Sequence, residues 1–185
     1  MRDITDCNQI KKTKVESEET YQMKILLCKL GIKLGFEVDV EEGQESELGK
    51  LAIRHDVLWY TKPPEWVSRL FEAIISRNDL TQEYKELIER KASLKRQLYA
   101  AFEIEGSDVT TKAMKGDISN LSKIPFGVIV VYRGRDLPTE GKHLEPIRNR
   151  FEKALIEFRA LHGPNNVIIA SFEDIKKIAK ELGVE

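Results

Sequence analysis

The chain contains 185 residues, of which 41% are hydrophobic and 33% are charged. The hydrophobic share is sufficient for a buried core and excludes a wholly disordered protein. The formal net charge of -1 excludes a uniformly basic, histone-like nucleic-acid binder, although a protein with one local basic face remains compatible with it.

Cysteine usage and hydropathy indicate the cellular compartment that we expect for the protein. The two cysteines, Cys7 and Cys28, do not make a disulfide framework, and no Cys-x-x-Cys motif accompanies the three separated histidines. A structural zinc site is therefore not expected. The longest apolar runs are about seven residues, too short to span a membrane. The N-terminus shows no apolar leader segment. We expect a cytoplasmic protein without a membrane partner.

The first part of the chain is predicted to contain an arm, a helix and two strands. Polar residues 1–17 are expected to form a flexible arm, and residues 18–185 a single domain. The helix is expected to begin after Ser17, a suitable N-cap, and to end before Gly35. The two strands that follow are predicted over residues 36–40 and 51–60.

A helical insertion over residues 64–97, with two amphipathic stretches, separates these strands from the rest of the sheet. Strands and helices alternate after it, which favours parallel pairing, whereas the early strands can pair as a meander. The later elements are predicted as strands over 98–105, 126–132 and 167–170, and helices ending near 122 and over 144–161 and 173–182. The sequence therefore predicts an α/β fold with a mixed β-sheet flanked by helices.

The strand over 98–105 carries two glutamates, Glu103 and Glu105, among small and apolar residues. Alternate residues of a strand point to the same face, so both carboxylates are expected opposite Phe102 and Ile104. Two like charges on a central strand repel each other and are costly to remove from water. A divalent cation would offset that cost, because Mg²⁺ prefers oxygen ligands.

Simpler interpretations of the two glutamates remain open. They can lie at a solvated end of the strand, or pair with a basic residue such as Lys112 or Arg54. The preceding strand favours a metal site, because it carries Asp56 among apolar residues. Acids on two adjacent strands can converge on one metal ion. If the strand is regular, the neighbouring His55 is expected to point to the opposite face, as a packed or hydrogen-bonded core histidine.

An aspartate on the second strand followed by Glu-x-Glu on the third resembles the PD-(D/E)XK nuclease superfamily. That superfamily contains many restriction enzymes, Holliday-junction resolvases and repair nucleases. Its core order is helix, three strands, helix, strand, and the order predicted over residues 18–135 matches it. The resemblance implies a restriction-endonuclease-like fold and hydrolysis of DNA phosphodiester bonds with Mg²⁺, for which Mn²⁺ can substitute.

The resemblance also implies roles for the residues of the motif. Asp56 corresponds to the motif aspartate and Glu103 to the first acid of the (D/E)-x-K half. The Ile104 carbonyl would be a further metal ligand. Glu105 stands where the family usually has lysine, so it would bind metal or orient the attacking water.

Other residues could complete such a site. In some branches of the superfamily the lysine lies on the following helix, where this chain has Lys112 and Lys115, and either would stabilise charge developing on the phosphate. A further acid from the first helix often contributes, and Glu18 and Glu19 are the candidates. The residues expected to contact DNA are Thr111, Lys112, Lys115 and Asn120 on that helix, and Arg133 and Arg135 after the fourth strand. An ordinary solvated surface is the alternative for both groups.

The predicted function is a Mg²⁺-dependent DNA endonuclease of the restriction, junction-resolving or repair type. A homodimer is expected, because cutting two strands usually takes two sites, with the helical insertion or the helix over 144–161 as the dimer face. The alternative is a non-catalytic DNA-binding or scaffold protein of the same fold, which Glu105 in place of the lysine favours. A third interpretation is an α/β interaction protein whose acids lie on the surface.

Overall fold

The computed structural model describes residues 3–4, 6–13, 16–40, 55–90, 96–106, 109–132 and 147–184. Six strands form one sheet in chain order: β1 (Asp3–Ile4), β2 (Glu37–Val40), β3 (Val57–Thr61), β4 (Gln97–Glu105), β5 (Phe126–Val131) and β6 (Val167–Ser171). The helices are α1 (Glu18–Lys33), α2 (Glu65–Ile75), α3 (Gln82–Arg90), α4 (Thr111–Leu121), α5 (Ile147–His162) and α6 (Phe172–Glu181). A short 3₁₀ helix covers Cys7–Gln9.

The pairing of the strands confirms the predicted mixed α/β sheet. Strands β1 to β4 pair antiparallel as a meander, and β4, β5 and β6 pair parallel through the connecting helices α4 and α5. No helix in the described ranges is long and apolar enough to cross a membrane.

Two hydrophobic cores lie on opposite faces of the sheet. One face packs against α1 and α6, and the other against α4 and α5. Strand β4 lies between β3 and β5, and its neighbouring residues Ala100 and Ala101 are fully buried, one in each core. Any charged side chain at the end of β4 therefore lies beside packed apolar layers.

Helix α1 is docked closely on the sheet. Its predicted ends are confirmed, since Ser17 caps the first turn and Gly35 follows the last turn with a φ of +86°. A Cβ atom on Gly31 would lie 2.6 Å from Trp59 Nε1, so only glycine permits this approach. Trp59 Nε1 donates a hydrogen bond to the Leu27 carbonyl at 3.1 Å. These contacts fix where the side chains of α1 reach the ends of the strands.

The N-terminal segment differs from the loose arm that its polar composition predicts. Residues 3–4 form β1, and Cys7 and Ile10 are buried in the core beside α1. Cys7 forms a disulfide with Cys28 of α1, which the sequence analysis did not predict. The Tyr21 hydroxyl donates to the Ile10 carbonyl. Apolar and covalent contacts from a few residues thus outweigh the polar average of the segment.

The predicted insertion forms α2 and α3, and Thr81 accepts a hydrogen bond from the Tyr84 N–H at the start of α3. Helix α2 has no buried residue, although its residues are largely apolar. Trp66 is 67% exposed and Leu70 is 49% exposed. This helix therefore presents an apolar surface to its surroundings.

A buried ion pair joins the end of the insertion to β2. Arg96 donates to both carboxylate oxygens of Asp39, at 3.1 and 2.8 Å, and its guanidinium lies 4.0 Å from the centre of the Tyr60 ring. Asp39 is fully buried. The alternation of β2 predicts a half-buried strand with solvated acids, and Asp39 departs from it because Arg96 supplies its counter-charge.

Candidate active site

Asp56 lies immediately before β3, where the pairing of β3 with β4 ends. The last paired residues are Val57 and Phe102. Two residues further along β4, the Ile104 N–H donates to Asp56 Oδ2 at 2.8 Å. A side-chain carboxylate thus takes the place of the next backbone acceptor, as short polar side chains do at the ends of regular structure. The contact fixes Asp56 at the carboxyl end of β4.

Lys24 of α1 contacts the same aspartate from the other side. Its Nζ lies 2.9 Å from Asp56 Oδ1 and 2.8 Å from Glu16 Oε1. Burial disfavours the charged form of Lys24, but the carboxylates of Asp56 and Glu16 outweigh it and raise the pKa of Lys24. The lysine is therefore a charged, nearly buried group held between two acids.

Glu103 is held by His55. The distance between His55 Nδ1 and Glu103 Oε1 is 2.6 Å, and His55 is 3% exposed. The expectation that His55 points away from the acids is wrong, although the residue is buried as expected. His55 and Asp56 both precede β3, so the alternation of a regular strand does not apply to them.

Glu105 and Asp117 form a second pair of acids at this end of the sheet. Burial and the carboxylates of Asp117, Glu103 and Asp56 raise the pKa of Glu105 to about 8. Burial also raises the pKa of Asp117, the charge of Asp56 acts in the same direction, and a hydrogen bond with Glu105 opposes both. In the absence of a cation, the raised pKa favours the protonated form of Glu105 at neutral pH.

The structure brings together the predicted residues Asp56, Glu103 and Glu105, which act on one another electrostatically. Glu103 and Glu105 are half-buried, while Phe102 and Ile104 are buried in the core on the α1 side, as strand alternation predicts. The carbonyl of Ile104 is the predicted metal ligand. The N–H of the same residue donates a hydrogen bond to Asp56.

The lysines predicted to complete the site lie elsewhere on α4. Lys112 and Lys115 are exposed, and Lys115 Nζ lies 3.2 Å from Glu157 of α5. Asp117 lies two positions after Lys115, which is about 200° around a helix. Asp117 is turned toward Glu105, so Lys115 is on the opposite side of α4.

The remaining predicted residues are placed as follows. Thr111 is exposed and Asn120 is half-buried on α4. Glu18 contacts Lys12 and Gln22, away from the acids, and Glu19 is exposed. The predicted DNA contacts Arg133 and Arg135 lie outside the described residues.

Sequence reasoning missed four residues of this cluster: Glu16, Lys24, His55 and Asp117. Two of them carried a readable signal. Lys24 falls within the buried stripe of α1 that contains Met23, Leu27 and Cys28, and Asp117 falls beside Ile118 on the inner stripe of α4. A charged residue within a buried stripe requires a partner, which is the signal that would have identified both. Glu16 lies in an irregular segment and carried none.

The cluster fits a divalent cation by its chemistry, although it is not preassembled. No three side chains of the described ranges stand in an arrangement that would hold a metal ion. In those ranges Lys24 pairs with two carboxylates, Glu16 and Asp56. The carboxyl groups of Asp56, Glu103 and Asp117 act on Glu105. The buried Oδ2 of Asp117 receives no hydrogen bond from a described residue. Negative charge is therefore in excess, as Mg²⁺ coordination requires.

A concave surface elsewhere in the molecule does not involve these acids. A cavity of about 360 Å³ between α1 and α6 is lined by residues such as Met23, Leu26, Tyr132 and Phe172. None of Asp56, Glu103, Glu105 or Asp117 lines it. The chemistry of the site and the cavity are thus separate features.

Comparison with known proteins gives no assignment. No protein-family model, no curated protein and no solved structure matches the chain. The function must therefore be argued from the residues themselves.

Proposed function

We propose that this chain is a Mg²⁺-dependent DNA endonuclease with a restriction-endonuclease-like fold, acting in restriction, junction resolution or repair. The observation that supports it is the convergence of Asp56, Glu103 and Glu105 where β3 begins and β4 ends, with negative charge in excess. Hydrolysis of a phosphodiester needs a cation to neutralise the phosphate, and such a group of acids can bind one.

The order of the elements supports the same proposal. From α1 to β5 the chain runs helix, three strands, helix, strand, with α2 and α3 inserted between the second and third of those strands. This is the core order of the PD-(D/E)XK superfamily that the motif resembles. Fold alone does not define an activity, so the argument depends on the acids.

In this proposal Asp56 and Glu103 would hold the cation, with the Ile104 carbonyl as a further ligand. Mg²⁺, or Mn²⁺ in its place, would supply the charge that neutralises the phosphate and a bound water molecule of lowered pKa. The Ile104 N–H orients Asp56, and His55 orients Glu103. Glu105 would either bind the metal as well or orient the attacking water.

The proposed DNA surface is the exposed part of α4, the helix that also carries Asp117. Thr111, Lys112 and Lys115 are exposed there, and Asn120 is half-buried. Lysines on such a surface would contact DNA phosphates. The affinity for DNA would then fall as the salt concentration rises, because binding releases counterions from the DNA.

We propose that α2 forms the interface of a homodimer, because none of its residues is buried in the part of the chain that the structure describes, although most of them are apolar. An isologous interface brings the same surface of both copies together, so that surface must be complementary to itself. The apolar stripe of α2 meets this condition, because its side chains are all apolar; they are Val67, Leu70, Phe71, Ile74 and Ile75.

Cleavage of supercoiled plasmid and of a branched DNA junction, with Mg²⁺, Mn²⁺ or EDTA, tests the proposal. We expect cutting that needs metal and that falls at least about 10³-fold in Glu103→Ala and Asp56→Ala, which corresponds to about 4 kcal/mol. Glu83→Ala, at an exposed position of α3, is the matched control and should cut normally. Unchanged cutting by both site variants would exclude the assignment.

Sedimentation equilibrium of the same samples tests the dimer. We expect twice the chain mass for the unaltered protein and the chain mass for Leu70→Asp, since a charge at the centre of the interface opposes association. A monomeric unaltered protein, or a dimeric variant, would remove α2 as the interface.

The second candidate is a non-catalytic DNA-binding or scaffold protein of the same fold. It is favoured by Glu105 at the position where the superfamily usually has lysine. Such a protein would bind DNA without cutting it and would show no gain in melting temperature with Mg²⁺ or Mn²⁺. An intact metal site gives a gain by mass action.

A further inference from the structure

Lys24 already occupies part of the space that the proposed metal would use. Its ammonium group lies 2.9 Å from Asp56 Oδ1, and the other oxygen of Asp56 accepts the Ile104 N–H. Both oxygens of the motif aspartate are therefore in use before any metal binds. A cation that coordinates Asp56 must compete with Lys24 for it.

The surroundings of Lys24 allow it to give way. Glu16 Oε1 lies 2.8 Å from the same ammonium group, on the side of the segment that precedes α1. The side chains of Lys24 and Glu16 are both nearly buried, at 8% and 6% exposure. Glu16 can keep the ammonium paired when Asp56 turns to a metal, so Lys24 need not be left as an unpaired buried charge, which would be costly.

The sequence motif makes this arrangement specific to the chain. The superfamily usually carries a lysine on the third strand beside its acids, and this chain has Glu105 there. Lys112 and Lys115 are exposed on α4, and Lys115 contacts Glu157. Among the described residues, Lys24 is the lysine that contacts the motif acids.

We propose that Lys24 acts as an internal cation of the site: it neutralises Asp56 in the absence of metal, competes directly with the divalent ion, and transfers its pairing to Glu16 when the ion binds. This inference rests on the proposed function, because it assumes that Asp56 is a metal ligand. Lys24 thereby sets the metal concentration at which the site becomes loaded. It is a positioning residue for the metal and not a group that reacts with DNA.

A titration with Mn²⁺ alone tests the competition without any cleavage. Electron paramagnetic resonance measures the free Mn²⁺ at each step of the titration. Lys24→Met should bind Mn²⁺ at least about tenfold more tightly, since a competing unit charge has been removed from beside a ligand. Lys24→Arg retains the charge and should stay within about threefold of the unaltered protein, on the same scale of charge effects. Lys33→Met, at an exposed position of the same helix, is the matched control and should not change the affinity.

Melting temperatures of the same variants give a second measurement. Lys24→Met in EDTA should melt lower, because Asp56 and Glu16 lose a buried partner, and saturating Mn²⁺ should raise its melting temperature more than it raises that of the unaltered protein. Should Lys24→Met not fold, Lys24→Gln removes the charge while retaining a hydrogen-bond donor, with the same expected direction.

The outcomes separate the two proposals. If the unaltered protein binds Mn²⁺ and cuts DNA but Lys24→Met and Lys24→Gln bind Mn²⁺ no more tightly, the competition is refuted and the nuclease remains. If neither the unaltered protein nor any variant binds Mn²⁺, both the inference and the proposed metal-dependent activity are refuted.

Discussion

Two groups of acidic residues lie on the same face of the sheet and differ in how their negative charge is balanced. Asp39 and the pair Glu103 and Glu105 share the face that packs against α4 and α5, since their cross-strand partners Leu58 and Ile129 belong to that core. Asp39 has one bidentate arginine. At the end of β4, more acids than basic residues are seen to interact within the described ranges.

The difference teaches how to distinguish a structural acid from a functional one. A buried carboxylate with a matched guanidinium is satisfied, so nothing is left for a ligand to do. A carboxyl whose pKa rises to about 8 because of burial and of the other acids around it is stabilised by a proton or a cation. Perturbed acids of this kind cluster at functional sites. Asp39 is therefore a structural acid, and Glu105 is the acid that the proposed function uses.

The largest effect on stability is expected from breaking the balanced pair. Arg96→Ala would leave Asp39 buried without its arginine and should lower the free energy of unfolding by about 3 kcal/mol, as removal of one partner of a buried pair does. Urea denaturation measures the loss. Lys62→Ala removes an exposed pair with Glu37 and should cost less than about 1 kcal/mol. Equal losses in the two variants would contradict the structural role of Arg96.

A pH-dependent effect is expected from the unbalanced region. In metal-free protein, the raised pKa of Glu105 means that the folded state holds a proton that the unfolded state releases above its ordinary value of 4.5. The contribution of Glu105 to stability is therefore fully present below about pH 4.5 and is lost as the pH rises through about 8.

Glu105→Gln should remove that dependence, so its free energy of unfolding should fall less between pH 5 and 9 than that of the unaltered protein. Denaturation in EDTA across this range measures it. Glu83→Gln, at an exposed position, should follow the unaltered protein. If the free energy of unfolding of Glu105→Gln changes with pH as steeply as that of the unaltered protein, another group causes the pH dependence.

The smallest effect is expected from an exposed lysine of α4. Lys112→Ala removes a lysine from the exposed side of α4 and should weaken DNA binding modestly and uniformly, lowering the salt slope by about 1. Binding measured at several salt concentrations gives this slope. Cleavage at saturating DNA should stay within about twofold, on the view that a phosphate contact positions DNA without catalysing. A large fall in that rate would instead place Lys112 in the chemistry, as the motif resemblance implies.

Local sequence patterns were sufficient for the elements and for three of the acids. Apolar spacing and caps predicted α1 and its ends, because a helix depends on short-range contacts. Strand alternation predicted that Glu103 and Glu105 share a face, since it follows from backbone geometry alone. Alternation failed at His55, because the strand begins only at Val57 and the preceding residues turn toward β4.

The sequence by itself determined the mixed α/β architecture, the order of its elements, and the acids Asp56, Glu103 and Glu105 as candidates. Tertiary structure decided their partners: Lys24 comes from α1, Glu16 from the segment before it, and Asp117 from α4. It also decided that Cys7 bonds to Cys28 and that Asp39 is a balanced acid. Periodicity reports which face a residue occupies, whereas pairing across the sheet depends on how separate elements pack, and that packing is a property of the whole chain.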